Sequence, residues 1–211
     1  MRCVIFANGW LKHTPILHPG DLIIAADGGA RHCLKLGLRP AIVIGDLDSL
    51  GEEDLAALKA VGAEIIQYST RKDYTDLELA LRHAQSLGAD EILVLGALGK
   101  RWDQTVANLL LPAALAPMPI RLVDGNQEIR MLRGGESLEV QGRPGDTFSL
   151  IPLAGDARGV TTQDLEYPLN QEDLAFGSTR GVSNLLLAGQ ATISLREGLL
   201  LCILIRAQVE L

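Results

Sequence analysis

Six aspartates recur just beyond apolar, strand-like runs of this chain. Asp27 follows residues 22–26, and Asp46 and Asp48 follow residues 41–45. Asp73 and Asp76 come shortly after residues 65–68, and Asp103 shortly after residues 92–96. In an open α/β sheet the strand ends on one side form the ligand-binding edge. Carboxylates collected on that edge repel one another unless something cationic sits among them. Mg²⁺ carrying a polyphosphate is the natural occupant.

Each motif also has a purely structural reading. In Asp46-Leu47-Asp48-Ser49, two acids one residue apart can share a metal where the backbone turns. Ser49-x-x-Glu52 is also a capping box for a following helix. The cap explains Ser49 and Glu52 but not two acids at the mouth of an apolar strand, so metal binding is favoured. In Lys72-Asp73-Tyr74-Thr75-Asp76, Thr75-x-x-Glu78 is again a capping box, and Asp76 suits the positive end of a helix. Here the functional and structural readings stand level. In the segment 96–103, glycines permit close backbone approach, a helix start offers N–H groups to phosphate, and Arg101 can grip it as a fork. The competing reading has Asp103 as an N-cap and Arg101 as a solvated charge. Asp27-Gly28-Gly29-Ala30 is either a turn beneath a nucleotide or an ordinary strand-to-helix turn capped by Asp27, the latter slightly preferred. No Walker A, Gly-x-Gly-x-x-Gly or Gly-x-Ser-x-Gly pattern occurs, and His13, His18, His32 and His83 show no ligand spacing.

The elements that must position these groups alternate over residues 1–124. β-branched or Leu-rich runs fall at 3–7, 22–26, 41–44, 63–68, 91–95 and 120–124. Helical patterns lie at 52–61, 75–87 and 103–115; in the second, Leu77, Ala80, Leu81 and Ala84 form one apolar stripe. Such alternation predicts an α/β domain with a mostly parallel sheet. From 125 to 211 the texture changes to glycine-rich turns between short alternating runs, at 137–140, 147–151, 191–195 and 199–205. That half reads as an all-β sandwich.

Composition narrows the functional classes. With 211 residues, 47% of them hydrophobic, the chain can bury one large core or two small ones. A net charge of −7 argues against nucleic-acid and anionic-membrane partners. Cys3, Cys33 and Cys202 lack metal-ligand spacing and fit a reducing, cytoplasmic setting. The N-terminal apolar run is too short for a signal peptide, and no run reaches a membrane span.

Taken in order, the motifs resemble those of thiamin pyrophosphokinases. The resemblance rests on Ala26-Asp27-Gly28-Gly29-Ala30, Gly45-Asp46-Leu47-Asp48-Ser49, Lys72-Asp73-Tyr74-Thr75-Asp76, Gly99-Lys100-Arg101-Trp102-Asp103-Gln104 with Ala107-Asn108, and the segment Phe176 through Asn184. Lys100 and Gln104 depart from the bacterial pattern, which often has Gly and His there. The resemblance implies transfer of a pyrophosphoryl group from ATP to the hydroxyethyl of thiamin, with Mg²⁺ as cofactor and a homodimer as the working form. It implies Asp46, Asp48 and Asp76 as metal ligands, and Lys72, Arg101 and Asp73 as catalytic groups, Asp73 or a neighbouring aspartate taking the alcohol proton. Asp27, Gly28, Thr75, Asp103, Gln104 and Asn108 would form the nucleotide site, and Ser183 and Asn184 would bind thiamin. The alternatives are a pyrophosphokinase acting on another alcohol, such as a hydroxymethylpterin, and a non-catalytic nucleotide- or thiamin-binding module.

Overall fold

The computed structural model describes residues 1–13, 15–115 and 117–207 and divides into two compact units, Met1–Gly125 and Asn126–Leu211. The first unit is built on six parallel strands: β1 (Arg2–Phe6), β2 (Leu22–Ala26), β3 (Ile42–Gly45), β4 (Glu64–Gln67), β5 (Glu91–Leu95) and β6 (Ile120–Asp124). Their spatial order is β6-β5-β1-β2-β3-β4. The chain therefore winds outward from β1 to β4, returns to the far side of β1, and continues outward through β5 and β6. The direction reverses between β1 and β5. At such a switch point the loops leaving the two strands diverge and open a crevice at their carboxyl ends.

The strands are apolar on both faces, as a sheet covered on both sides requires. Val4, Phe6, Ala25, Val43 and Leu93 belong to one core cluster, while Ile5, Ile24, Ile44 and Ile92 are fully buried as well. Each fully buried Ile or Phe contributes about 1.5–3 kcal/mol of transfer free energy. Helices α1 (Ala30–Lys35), α2 (Glu52–Ala60), α3 (Asp76–Ser86) and α4 (Trp102–Ala114) join the strands, with a single 3₁₀ turn at Asp27–Gly29 before α1. The Thr75 side chain caps α3 by accepting from the Glu78 N–H at 3.2 Å. Leu77, Ala80, Leu81 and Ala84 are buried, and α3 packs across β1, β2 and β3.

The second expected cap does not form. Helix α2 starts from Gly51, not Ser49, and the Asp54 carboxylate accepts from the Gly51 N–H at 3.3 Å. Leu50 is buried and a turn closes from Leu50 N to Leu47 O, which keeps residues 47–50 out of the helix. Ser49 instead donates to Asp48 at 3.2 Å.

The second unit holds two antiparallel sheets. One contains β7 (Gln127–Arg133), β9 (Thr147–Pro152), β12 (Asn184–Leu185) and β14 (Leu199–Ile205) in the order β12-β9-β14-β7. The other contains β8 (Ser137–Gln141), β10 (Ala157–Gln163), β11 (Glu172–Leu174) and β13 (Gln190–Ser194) in the order β11-β10-β13-β8. Phe148, Leu150, Leu200, Cys202 and Leu204 from the first sheet share a core with Val140, Val160, Leu174 and Ile193 from the second. The period-2 spacing of Leu200, Cys202 and Leu204 marks the face of β14 turned toward that core. The sandwich therefore matches the sequence expectation, although β7, β10, β11 and β12 gave no clear alternating signal.

Candidate active site

The carboxyl ends of β1, β2, β3 and β5 open onto a cavity of about 500 Å³ in the first unit. Its lining includes residues 7–9 after β1, Asp27 after β2, Asp46 and Asp48 after β3, and Gly96, Gly99, Lys100 and Arg101 after β5. Thr75, Asp76 and Leu77 add the start of α3, and Gln104 and Asn108 add α4.

Three carboxylates meet in this cavity. Asp27, Asp46 and Asp76 each offer an oxygen, and these oxygens lie within 4.8 Å of one another. Asp27 is only 5% exposed, and its Oδ1 is buried without a hydrogen-bond partner. Its backbone sits at φ +44°, a conformation uncommon for a non-glycine residue. Gly45 clears the space between the acids. At φ +152° it accepts no side chain easily, and a Cβ there would stand 2.9 Å from Asp76 Oδ1 and 3.0 Å from Asp27 Cβ.

Lys72 supplies positive charge within the cluster. Its Nζ lies 2.9 Å from Asp46 Oδ2 and 2.8 Å from Asp76 Oδ1. The contact to Asp76 is a close ion pair. The Lys72 hydrogen bond holds the Asp46 carboxyl below the ordinary range, against a smaller effect of burial. Burial pushes Asp76 up; Lys72 opposes this, while the charges of Asp46 and Asp27 add to it. For Lys72 itself burial works downward, but Asp76 and Asp46 outweigh it and leave its pKa raised. Two acids of one cluster thus have pKa values shifted in opposite directions, a pattern concentrated at functional sites.

The neighbouring loops are fixed by polar contacts. Lys100, at φ +61°, donates to the Asn8 carbonyl at 2.6 Å. Asn108 donates to the Ala97 carbonyl at 2.7 Å, and Thr105 Oγ1 accepts from Gly99 N at 3.1 Å. Gly9 and Gly96 allow the loops after β1 and β5 to lie together, since a Cβ on Gly9 would fall 2.3 Å from the Gly96 carbonyl oxygen.

Of the residues named from sequence, Asp27, Asp46, Asp48, Lys72, Thr75, Asp76, Arg101, Gln104 and Asn108 line the cavity, whereas Gly28, Asp73 and Asp103 do not. The three-carboxylate cluster takes in Asp27 where Asp48 was expected. Asp48 is exposed on the cavity wall, and Asp27 makes no side-chain cap, contrary to its bland reading. Gly28 packs against the Asn8 side chain, which a Cβ would approach to 2.5 Å. Asp73 is exposed. Asp103 lies in the first turn of α4 and is not its N-cap, a place taken by Arg101. Arg101 hydrogen-bonds the Asp103 carboxylate and pulls its pKa down to about 2. Tyr74 and Asn8 also line the cavity without having been assigned to it from sequence.

In the second unit, Asn184 lines a separate cavity of about 290 Å³ together with Tyr167 and Arg180. Its amide is largely committed to the fold. Oδ1 accepts from Tyr167 N at 3.0 Å and Leu185 N at 2.9 Å, and Nδ2 donates to Tyr167 O at 2.8 Å. Ser183 is exposed at φ +63° and does not line that cavity; its N–H donates to Ser149 Oγ at 3.0 Å.

Comparison with known proteins places this geometry. The family model described as "Thiamin pyrophosphokinase, catalytic domain" matches residues 15–122, and "Thiamin pyrophosphokinase, vitamin B1 binding domain" matches residues 136–200. The chain is 32% identical to "Thiamine pyrophosphokinase" of Bacillus subtilis over 184 residues, covering 86% of each chain. It is 27% identical to "Thiamine pyrophosphokinase 1" of Arabidopsis thaliana, covering 96% of this chain and 85% of that one. Among solved structures, a thiamine pyrophosphokinase from Bacillus subtilis superposes with a TM-score of 0.89 at 28% identity, covering 99% of this chain and 100% of that one.

Proposed function

Because this chain belongs to the thiamin pyrophosphokinase family, we propose that it transfers a pyrophosphoryl group from ATP to thiamin, giving thiamin diphosphate and AMP. The thiamin hydroxyl oxygen forms a bond to the β-phosphorus of ATP. The bond from that phosphorus to the oxygen bridging the α-phosphate breaks, and AMP leaves with the electron pair. The hydroxyl proton passes to a base. Charge builds on the leaving oxygen, so positioning and cationic stabilisation supply most of the rate.

The observation that carries this reading is the group of three carboxylates at the carboxyl ends of β2 and β3 and the start of α3, Asp27 among them with a buried, partnerless oxygen. Hard oxygen donors gathered this closely fit Mg²⁺, and Asp27, Asp46 and Asp76 would hold it. When bound, the ion supplies charge neutralisation for the phosphate oxygens. Lys72 contributes a second, fixed positive charge among the same acids. Arg101 lines the cavity and would serve as a phosphate donor. Asp48 lines the cavity outside the three-carboxylate cluster, so we assign it the hydroxyl proton in preference to Asp73. Thr75, Gln104 and Asn108 shape the nucleotide side. Ser183 and Asn184 would contact thiamin, a role supported by the match of their segment to the vitamin-binding model. A homodimer and a cytoplasmic setting, both drawn from the family resemblance and the cysteine usage, complete the proposal.

Incubation of the purified protein with ATP, Mg²⁺ and thiamin tests the reaction. AMP and thiamin diphosphate should appear in equal amounts, and only when every component is present. Release of ADP or inorganic phosphate instead would replace the proposal with a kinase or phosphatase reading.

A further inference from the structure

Among the described residues, Tyr74 is the only aromatic one lining the 500 Å³ cavity. Its side chain is 46% exposed, in a chain with only 4% aromatic residues. Tyr74, Glu78 and Arg82 recur every four residues, so they follow one side of α3 and the turn before it. Arg82 Nε and Nη2 both donate to Glu78 Oε1, at 2.9 and 2.7 Å. The guanidinium carbon lies over the Tyr74 ring, 4.9 Å from its centroid, within cation–π range. The ring is therefore backed on one face by Arg82, while Tyr74 lines the cavity.

The rest of the cavity wall is rich in Gly, Asp, Asn and Lys and suits cation-bound phosphates better than flat apolar rings. A positive charge behind the tyrosine disfavours a second cation on its front face, so the thiazolium ring of thiamin is a poor occupant. An uncharged, amino-substituted heterocycle suits the surface, because it presents a π-face without a charge to repel. We propose that Tyr74, backed by Arg82, stacks on an uncharged 4-aminopyrimidine ring of a bound substrate. The inference rests on the pyrophosphokinase reading, since both substrates of that reaction carry such a ring: the purine of ATP and the pyrimidine of thiamin.

Calorimetric titration of the full chain in Mg²⁺ tests it, using AMP, thiamin and ring-free pyrophosphate as separate probes. Tyr74→Ala should weaken either AMP or thiamin by about five- to a hundredfold while leaving pyrophosphate within about twofold, and Tyr74→Phe should restore the loss. A loss confined to AMP identifies the purine as the occupant, and one confined to thiamin identifies the pyrimidine. Unchanged affinity for both overturns the stacking role. So does an equal loss for pyrophosphate, which marks general damage to the cavity, or a failure of Tyr74→Phe to rescue. Wild-type protein that binds neither AMP nor thiamin removes the functional reading itself, and that result is seen before any variant is compared.

Discussion

At the scale of single residues, the cluster is a balance of three negative charges against one positive charge. Asp46 is paired through Lys72, which holds its carboxyl ionised. Asp46→Asn should lower turnover at least about a hundredfold with an unchanged circular dichroism spectrum, since the lost charge acts on the transferred group and not on the core. Asp76 behaves differently because its folded pKa is raised, by burial first. A carboxyl of this kind stabilises the folded state fully below its unfolded pKa and loses that contribution as pH rises through the folded value. Asp76→Asn should therefore be more stable than wild type at neutral pH in metal-free buffer. Denaturant melts should show the difference closing as pH falls toward the unperturbed value of 3.8. Asp46 runs the opposite way: its contribution is present at neutral pH and is lost below that same value. The meeting of Asp46, Asp76 and Lys72 in one cavity was legible from residue types just beyond strand ends. The membership of Asp27 was not, because Asp before Gly-Gly reads equally as a cap and nothing in the letters signals a φ of +44°.

At the scale of elements, helix α3 delivers Asp76, and its start is set by one hydroxyl. Thr75→Ala should cost about 1 kcal/mol, seen as a lowered denaturation midpoint, while Thr75→Ser should hold most of it. Strand β3 delivers Asp46 past a glycine that leaves room for the acids. Gly45→Ala should destabilise the protein by about 1–3 kcal/mol and lower turnover more than stability alone explains, because the new methyl intrudes between Asp27 and Asp76. Strand positions in the first unit were readable because parallel strands covered on both faces are continuous apolar runs. The cap of α3 was readable from Thr-x-x-Glu, yet the same pattern at Ser49 failed. There the burial of Leu50 outweighed local capping and moved the helix start to Gly51. In the second unit β11 and β12 span only three and two residues, too short for any period to emerge.

At the scale of the whole molecule, a net charge of −7 repels free ATP, and the acidic cluster concentrates that repulsion where the phosphates must go. Nucleotide binding should therefore depend on a divalent ion. Chelation with EDTA should weaken ATP at least about tenfold in an equilibrium titration, and added Mg²⁺ should restore it. The three cysteines contribute to none of this. All are buried and unpaired, and burial raises each thiol to about 12. A thiol reagent attacks the thiolate, so it must wait for local opening before it can react. Cys3 and Cys33 lie in the first unit and Cys202 in the second. The rate at which each is labelled is thus a built-in clock for the opening of its own unit. Comparing those clocks with and without a bound nucleotide would show which half of the chain the ligand steadies, with no foreign probe introduced.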